Sequence, residues 1–252
     1  MRITQYESDV LANGLDILRI LAEAETPLTA TAIAERVGLH VSNVSRTLRV
    51  LMRSGYVRKP TYHSFAPDVG VLALAGSAAD RLPAIRLTRT MVQAAARRSG
   101  LSASLAALHN DQVLYLHRSQ PDGATVSGVA GGFPLHRSVV GLRLLLDLPK
   151  TRALAALARA ARRYGWERPT PTTPADPAAC LAAARQRLHG GILRTDHWDT
   201  PGDFALALGV KAVGHPALAI ALDGASPQAA EDSLAVLRST ATALTTILEQ
   251  DP

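Results

Sequence analysis

The chain has 252 residues, a net charge of +6 and an isoelectric point near 10; the length points to two domains and the charge to a polyanionic partner. Cys180 is the only cysteine, which excludes an intramolecular disulfide and a cysteine-based zinc site within one chain and fits a reducing cytoplasm. Residues 1–9 are polar and mixed in charge and are expected to be no signal peptide, and no apolar run approaches the ~18–20 residues of a membrane span.

Between residues 10 and 24, Leu11, Leu15, Leu18, Ile20 and Leu21 recur at helical spacing. Pro27 ends that helix. Thr29 is placed to cap a second helix whose buried face carries Ile33 and Val37, and Gly38 stands where a helix end needs a left-handed residue. A third helix is expected over 41–54, stopped by Gly55. Residues 56–59 read as a strand, Pro60-Thr61 as its turn and 62–65 as the return. An apolar stretch follows over 69–75. Next comes one long Arg-rich helix over 81–99, with Ile85, Met91 and Val92 on its apolar side and Gly100 at its end. The small residues before Pro83 place a boundary between Gly76 and Leu82.

Beyond Gly100, residues 102–108 and 113–117 read as strands joined by the turn His109-Asn110-Asp111-Gln112, with a third candidate at 125–129. Helices are expected over 135–148, 151–164 and 180–188, with a Pro- and Thr-dense loop at 169–177. Strands are expected at 192–195, 205–213 and 217–222, and a closing helix over 227–248. Strands mixed with flanking helices make this second domain α/β (α+β).

The third helix carries the functional argument. Val44, Leu48 and Leu51 share one face, and Ser42, Asn43, Ser45, Arg46 and Arg49 fall on the other. Short polar groups followed by Arg suit a recognition helix whose N-terminal part approaches base edges, because Ser and Asn both donate and accept and Arg bonds two guanine acceptors or clamps a phosphate. Residues 31–65 hold six basic side chains (Arg36, Arg46, Arg49, Arg53, Arg58 and Lys59) against the single acid Glu35, a patch suited to phosphate neutralisation and counterion release. Thr31 on the second helix and Arg58 and Lys59 on the strand join the third helix as expected DNA contacts. The competing reading is an ordinary three-helix unit with a basic solvated face.

At these residues the chain resembles the IclR family of bacterial transcription regulators. The matching stretches are Gly14-Leu15-Asp16-Ile17-Leu18, Pro27-Leu28-Thr29, Ala34-Glu35-Arg36-Val37-Gly38-Leu39, Val44-Ser45-Arg46-Thr47-Leu48 and Gly55-Tyr56-Val57. In the second domain, Pro134-Leu135-His136-Arg137-Ser138 to Gly141, Leu208-Gly209-Val210-Lys211-Ala212-Val213 and Ala219 to Gly224 resemble family segments in the family's order. The resemblance implies a winged helix-turn-helix DNA-binding domain (1–76), a linker helix (77–100) and a GAF-like effector-binding domain (101–252). It also implies a homodimer or homotetramer on a near-palindromic operator, and a repressor released by a small-molecule effector. The chain departs from the family in the wing, where Lys59-Pro60-Thr61-Tyr62 replaces an Asp-Gly type of turn and leaves it shorter. It departs again in the penultimate strand, where Ala221 and Asp223 stand in place of hydroxyls.

The expected polar lining of the effector pocket is His136, Ser138, Asp199, His215 and Asp223, with Val139, Val140 and Ala212 facing the ligand by resemblance. An aspartate in place of a hydroxyl repels an anion, which favours an aromatic or neutral amide-like effector over a small keto acid. Asp223 pointing to solvent and His136 serving as a structural histidine are the competing readings. No nucleophile elbow, P-loop, dinucleotide fingerprint or His-Glu-x-x-His helix is present in the sequence, so a regulator is expected rather than an enzyme, with no cofactor and no metal. His197 and Asp199 invite a metal reading, but a Trp-containing loop favours a structural role. A ligand-free interaction module is the other alternative.

Overall fold

The computed structural model describes residues 5–122, 124–125, 130–225 and 227–251, and the chain divides into two compact units, Met1–Arg81 and Leu82–Pro252. The first unit opens with α1 (Gln5–Glu23), β1 (Leu28–Thr29), α2 (Ala30–Val37) and α3 (Val41–Arg53). Thr29 Oγ1 accepts the Ala32 N–H at 3.2 Å and caps α2, while Gly38 closes it at φ +70°. Val44 and Leu48, one helical turn apart, are fully buried against Ile17, Leu21, Ile33 and Val57.

The expected hairpin forms, but its turn lies elsewhere. β2 (Val57–Thr61) runs through Pro60, Tyr62-His63 makes the turn, and β3 (Ser64–Pro67) returns between β2 and β1. Proline is tolerated because β2 is an edge strand, where a missing N–H removes no ladder bond on the solvent side. The apolar stretch after it is the first half of α4 (Val69–Arg81), a helix with no buried residue.

The single helix expected over 81–99 is broken. Leu82 is extended (φ −72°, ψ 115°), as the ring of Pro83 requires of the residue before it. The chain then makes the short α5 (Pro83–Arg86) and a second break at Leu87-Thr88, where Thr88 Oγ1 donates to the Ala84 carbonyl at 2.8 Å, before α6 (Arg89–Ser99).

The remaining elements are β4 (Ser102–His109), β5 (Gln112–Ser119), β6 (Ala130–Phe133), α7 (Val139–Leu145), α8 (Lys150–Tyr164) and α9 (Pro177–Gln186). They continue through β7 (Leu188–His189), β8 (Ile192–Asp196), β9 (Phe204–Val210), β10 (Leu218–Gly224) and α10 (Pro227–Glu249). The strands form one antiparallel sheet in the order β6-β5-β4-β10-β9-β8-β7. Asn110 and Asp111, both at positive φ, make the expected β4–β5 turn. Of the strand expected at 125–129, residues 126–129 lie outside the described residues, and Thr125 makes only an isolated bridge to Ser119. The helix expected from 135 begins instead as a 3-10 turn, Leu135–Arg137, and restarts at α7, where Ser138 Oγ accepts the Gly141 N–H. β9 ends at Val210, and Val213 is 84% exposed.

α6 and α10 cover one face of the sheet, and α7 covers the other with α8 and α9 outside it. The approach of α7 is close: a β-carbon on Gly141 would lie 2.5 Å from Val113 Cγ2.

Candidate DNA interface and ligand cavity

In the first unit, burying Val44 and Leu48 turns the polar side of α3 outward. Ser42, Asn43, Arg46 and Arg49 are exposed and Ser45 is half-buried; Thr31, Arg58 and Lys59 are exposed as well. Arg46, Arg49 and Arg53 line a shallow concavity with Val50 and Met52. Among the described residues, Arg46, Arg49 and Arg58 carry no ion pair, so their charge is unspent. Lys59 is partly engaged: its ammonium lies 4.6 Å from the centre of the Tyr62 ring and 5.7 Å from that of Phe65, which stiffens the hairpin tip. His40 went unforeseen. It caps α3, its Nδ1 accepting the Ser42 N–H at 3.3 Å and lying 2.8 Å from Ser42 Oγ.

In the second unit, a cavity of about 190 Å³ opens between the sheet and the start of α7. Its floor follows from register. Asp223 on β10 pairs with Ser102 on β4 and with Ala205 on β9, and Ala205 pairs with Thr195 on β8. Residues directly opposite one another share a face, so these four side chains form one row, and all four line the cavity. Ser104, Arg118 and Tyr115 extend the floor. Phe133, Arg137, Ser138 and Val139 form one wall, and Trp198, Asp199, Thr200 and Asp203 the other.

Of the residues expected to line a pocket, the structure brings together Ser138, Val139, Asp199 and Asp223. Val140 is buried in the core, and so is Ala221, one pleat beyond Asp223. His215 bonds the Leu248 carbonyl at 2.8 Å, and Ala212 lies in the turn before it; neither lines the cavity. His136 is buried behind the wall, stacked on Trp166 at 4.0 Å with Nε2 2.7 Å from the Glu167 carbonyl oxygen. Burial lowers the pKa of its imidazole below the usual range. His197 Nδ1 accepts the Gly202 N–H at 2.9 Å, and Asp199 accepts from Arg137 Nε at 2.5 Å.

Two networks hold the walls. Arg137 bridges Asp199 and Glu167, the latter at 2.9 Å. Thr170 and Thr172 donate to the His197 carbonyl and Thr173 to that of Trp198, which ties the Pro/Thr loop to the cavity wall. Tyr115 and Ser138 hydroxyls meet at 3.1 Å; burial raises the pKa of the phenol, while that hydrogen bond and Arg118 oppose the rise. Burial likewise pushes the Asp223 carboxyl up to about 6, with Arg118 pulling down and Asp203 and Asp199 adding to the rise. Arg118 and Tyr115 were missed in the sequence: three residues apart, they would alternate to opposite faces, and both reach the cavity because the β4–β5 register shifts between Leu105 and Ala106.

The pattern described as the IclR helix-turn-helix domain matches residues 10–60, and that described as the bacterial transcriptional regulator IclR C-terminal matches residues 76–245. No curated protein sequence matches the chain. Among solved structures, it is similar to an IclR family transcriptional regulator from Brucella abortus (21% identity over 98% of this chain and 96% of that one, TM-score 0.78). It is also similar to a transcriptional regulator from Alicyclobacillus acidocaldarius (21%, 95% and 98%, 0.69). A third is an IclR homolog from Microbacterium hydrocarbonoxydans complexed with 4-hydroxybenzoate (23%, 96% and 100%, 0.67). Identities this low speak to the fold, whereas the two family patterns span most of the sequence: the chain belongs to the IclR family of DNA-binding, non-enzymatic transcription regulators.

Proposed function

We propose that the protein is a repressor whose grip on its operator loosens when a small molecule fills the cavity of the second unit. The observation that carries this reading is a polar cavity of about 190 Å³ in the same chain as a helix with an exposed, unpaired basic face. A void of about 150 Å³ already admits benzene, so a single-ring ligand fits. The 4-hydroxybenzoate held by the Microbacterium protein has that size. Repression is the economical sign, since occluding a promoter needs only DNA binding. A ligand releases DNA to the extent that it binds the DNA-free arrangement more tightly than the bound one.

In this reading Asn43, Arg46 and Arg49 reach base edges, with Ser42 and Ser45 beside them, and Thr31, Arg58 and Lys59 hold phosphates. One such helix makes too few base contacts to find a single locus, and a two-fold pair on a near-palindromic site doubles them. Exposed Leu11 and Leu15 on α1 and Val69 and Leu72 on α4 offer the apolar surface for that pairing. The protein then works in the cytoplasm, with the chromosome; no helix among the described residues is long and apolar enough to cross a membrane. The test is recovery of bound fragments from the native genome, followed by DNA-binding titrations with small molecules suggested by the neighbouring genes. Release of the fragment supports the reading. Tightening by every ligand that binds overturns the proposed sign.

A further inference from the structure

The cavity floor holds a carboxylate with no hydrogen-bond or ion-pair partner among the described residues, its burial offset only by the pull of Arg118 at longer range. Among the described residues, Asp223 makes no hydrogen bond and no ion pair, although its side chain is largely enclosed. Asp223 is not alone in this: the Ser104 and Thr195 hydroxyls lining the same floor, on residues 7% and 6% exposed, also have no partner among the described residues. These oxygens are accessible from the cavity rather than sealed in the core, so they are open to a ligand; on the same lining, the buried Trp198 Nε1 also has no partner among the described residues.

Of the two positive charges lining the cavity, one is committed elsewhere and the other, Arg118, carries no ion pair among the described residues. Arg137 is held by Asp199 and Glu167. The Arg118 guanidinium lies over the Tyr115 ring, 5.0 Å from its centre. Three carboxylates, Asp199, Asp203 and Asp223, line the cavity against these two guanidiniums. An anionic ligand would find Arg118 as its one unpaired cation and would sit among three carboxylates. A ligand that donates N–H groups meets the opposite situation, because an ionised carboxylate offers only acceptors, and a charge-assisted bond to it is the strong kind.

We propose that the cavity selects a flat, single-ring ligand bearing an N–H-donating head of the amidine or amide type, received by Asp223, and discriminates against the corresponding carboxylate. This rests on the reading of the cavity as the effector site. Ser104 and Thr195 then serve the remaining atoms of the head, since a hydroxyl both donates and accepts. The aromatic side chains of Tyr115, Phe133 and Phe204 supply the apolar wall for the ring.

Benzamidine, benzamide and benzoate form a near-isosteric series that differs in charge and in N–H count, so they separate shape from chemistry. Calorimetric titration of the full chain near neutral pH is expected to rank them in that order, with benzoate at least about tenfold weaker than benzamidine. Asp223→Asn, which keeps the shape of the side chain, is expected to cost benzamidine about tenfold or more and to narrow the gap to benzoate. Asp223→Ser serves as a second variant, and the melting temperature of each reports whether it is folded. Benzoate binding tightest, or benzamidine indifferent to both folded variants, would overturn the donor selectivity while leaving the effector site standing. Failure of all three probes to bind at millimolar concentration would overturn both.

Discussion

Gly70 donates its backbone N–H to the Gly55 carbonyl oxygen at 3.0 Å, and a β-carbon on Gly70 would stand 2.3 Å from that oxygen. The start of α4 is thereby pressed onto the turn that ends α3, backbone to backbone. No side-chain rotation relieves such a contact. Gly70→Ala is expected to destabilise the first unit by about 1–3 kcal/mol, the range for forced overpacking. It should show as a lower melting temperature and weaker DNA binding. An unchanged melting temperature would mean that α4 moves freely off the turn.

Base reading and phosphate holding are expected to separate by mutation. Arg46→Ala and Asn43→Ala should weaken the operator selectively, each lost bidentate contact removing about 1–3 kcal/mol of discrimination. Arg58→Ala and Lys59→Ala should weaken all sequences alike and flatten the salt dependence. Titrations at several salt concentrations on operator and on scrambled DNA distinguish the two classes. Full operator affinity in Arg46→Ala would remove α3 from the role of reader.

The exposed leucines of α1 are expected to matter only in the assembled protein. Leu11→Glu with Leu15→Glu should convert an oligomer into a monomer by light scattering, with little loss of stability, since both side chains are more than half exposed in the single chain. Operator affinity should fall with the loss of the two-fold pair. A monomeric parent protein, with and without DNA, would contradict this.

Asp223 is expected to give stability a specific pH dependence. Its carboxyl sits at about 6 against an ordinary 3.8, so the folded chain binds this proton more tightly than the unfolded chain. The contribution of this group to stability therefore falls as pH rises from about 4 to about 6, and stays at its lower level above that. Arg118 opposes the effect, and Asp203 and Asp199 reinforce it. Asp223→Asn should raise the melting temperature at about pH 8 and leave it near the parent value at about pH 4. Equal effects at both ends would place the carboxyl in solvent.

What was legible in the sequence was what repeats locally. The α3 pattern, the Thr29 and Gly38 caps and the turn between β4 and β5 are each decided by residues close to one another in the chain. Pro60 misled because a proline reads as a turn until the edge position of its strand is known. The break at Leu82 was readable from Pro83 alone, but the Arg-rich helical texture on both sides outweighed it. The cavity was half legible. Asp223, Ser138 and Asp199 were singled out, whereas Arg118 and Tyr115 meet them only through the pairing of β5 with β4, a contact between strands that no local pattern records. His136 lost its place to Trp166 and the Glu167 carbonyl, which lie some thirty residues further along the chain.

The cap of α3 has an electrostatic consequence. Serine, aspartate and asparagine are the common residues at such a position, and an aspartate there would complete the turn as well as His40 does. It would also place a negative charge against the positive end of the helix, cancelling a field equivalent to about half an elementary charge. His40 uses a ring nitrogen to accept the Ser42 N–H, and the first turn of α3 contains no acid. The helix therefore starts with its backbone field uncompensated by any acidic side chain of its first turn, and on the proposed reading of α3 that field adds to the attraction its arginines exert on a phosphodiester.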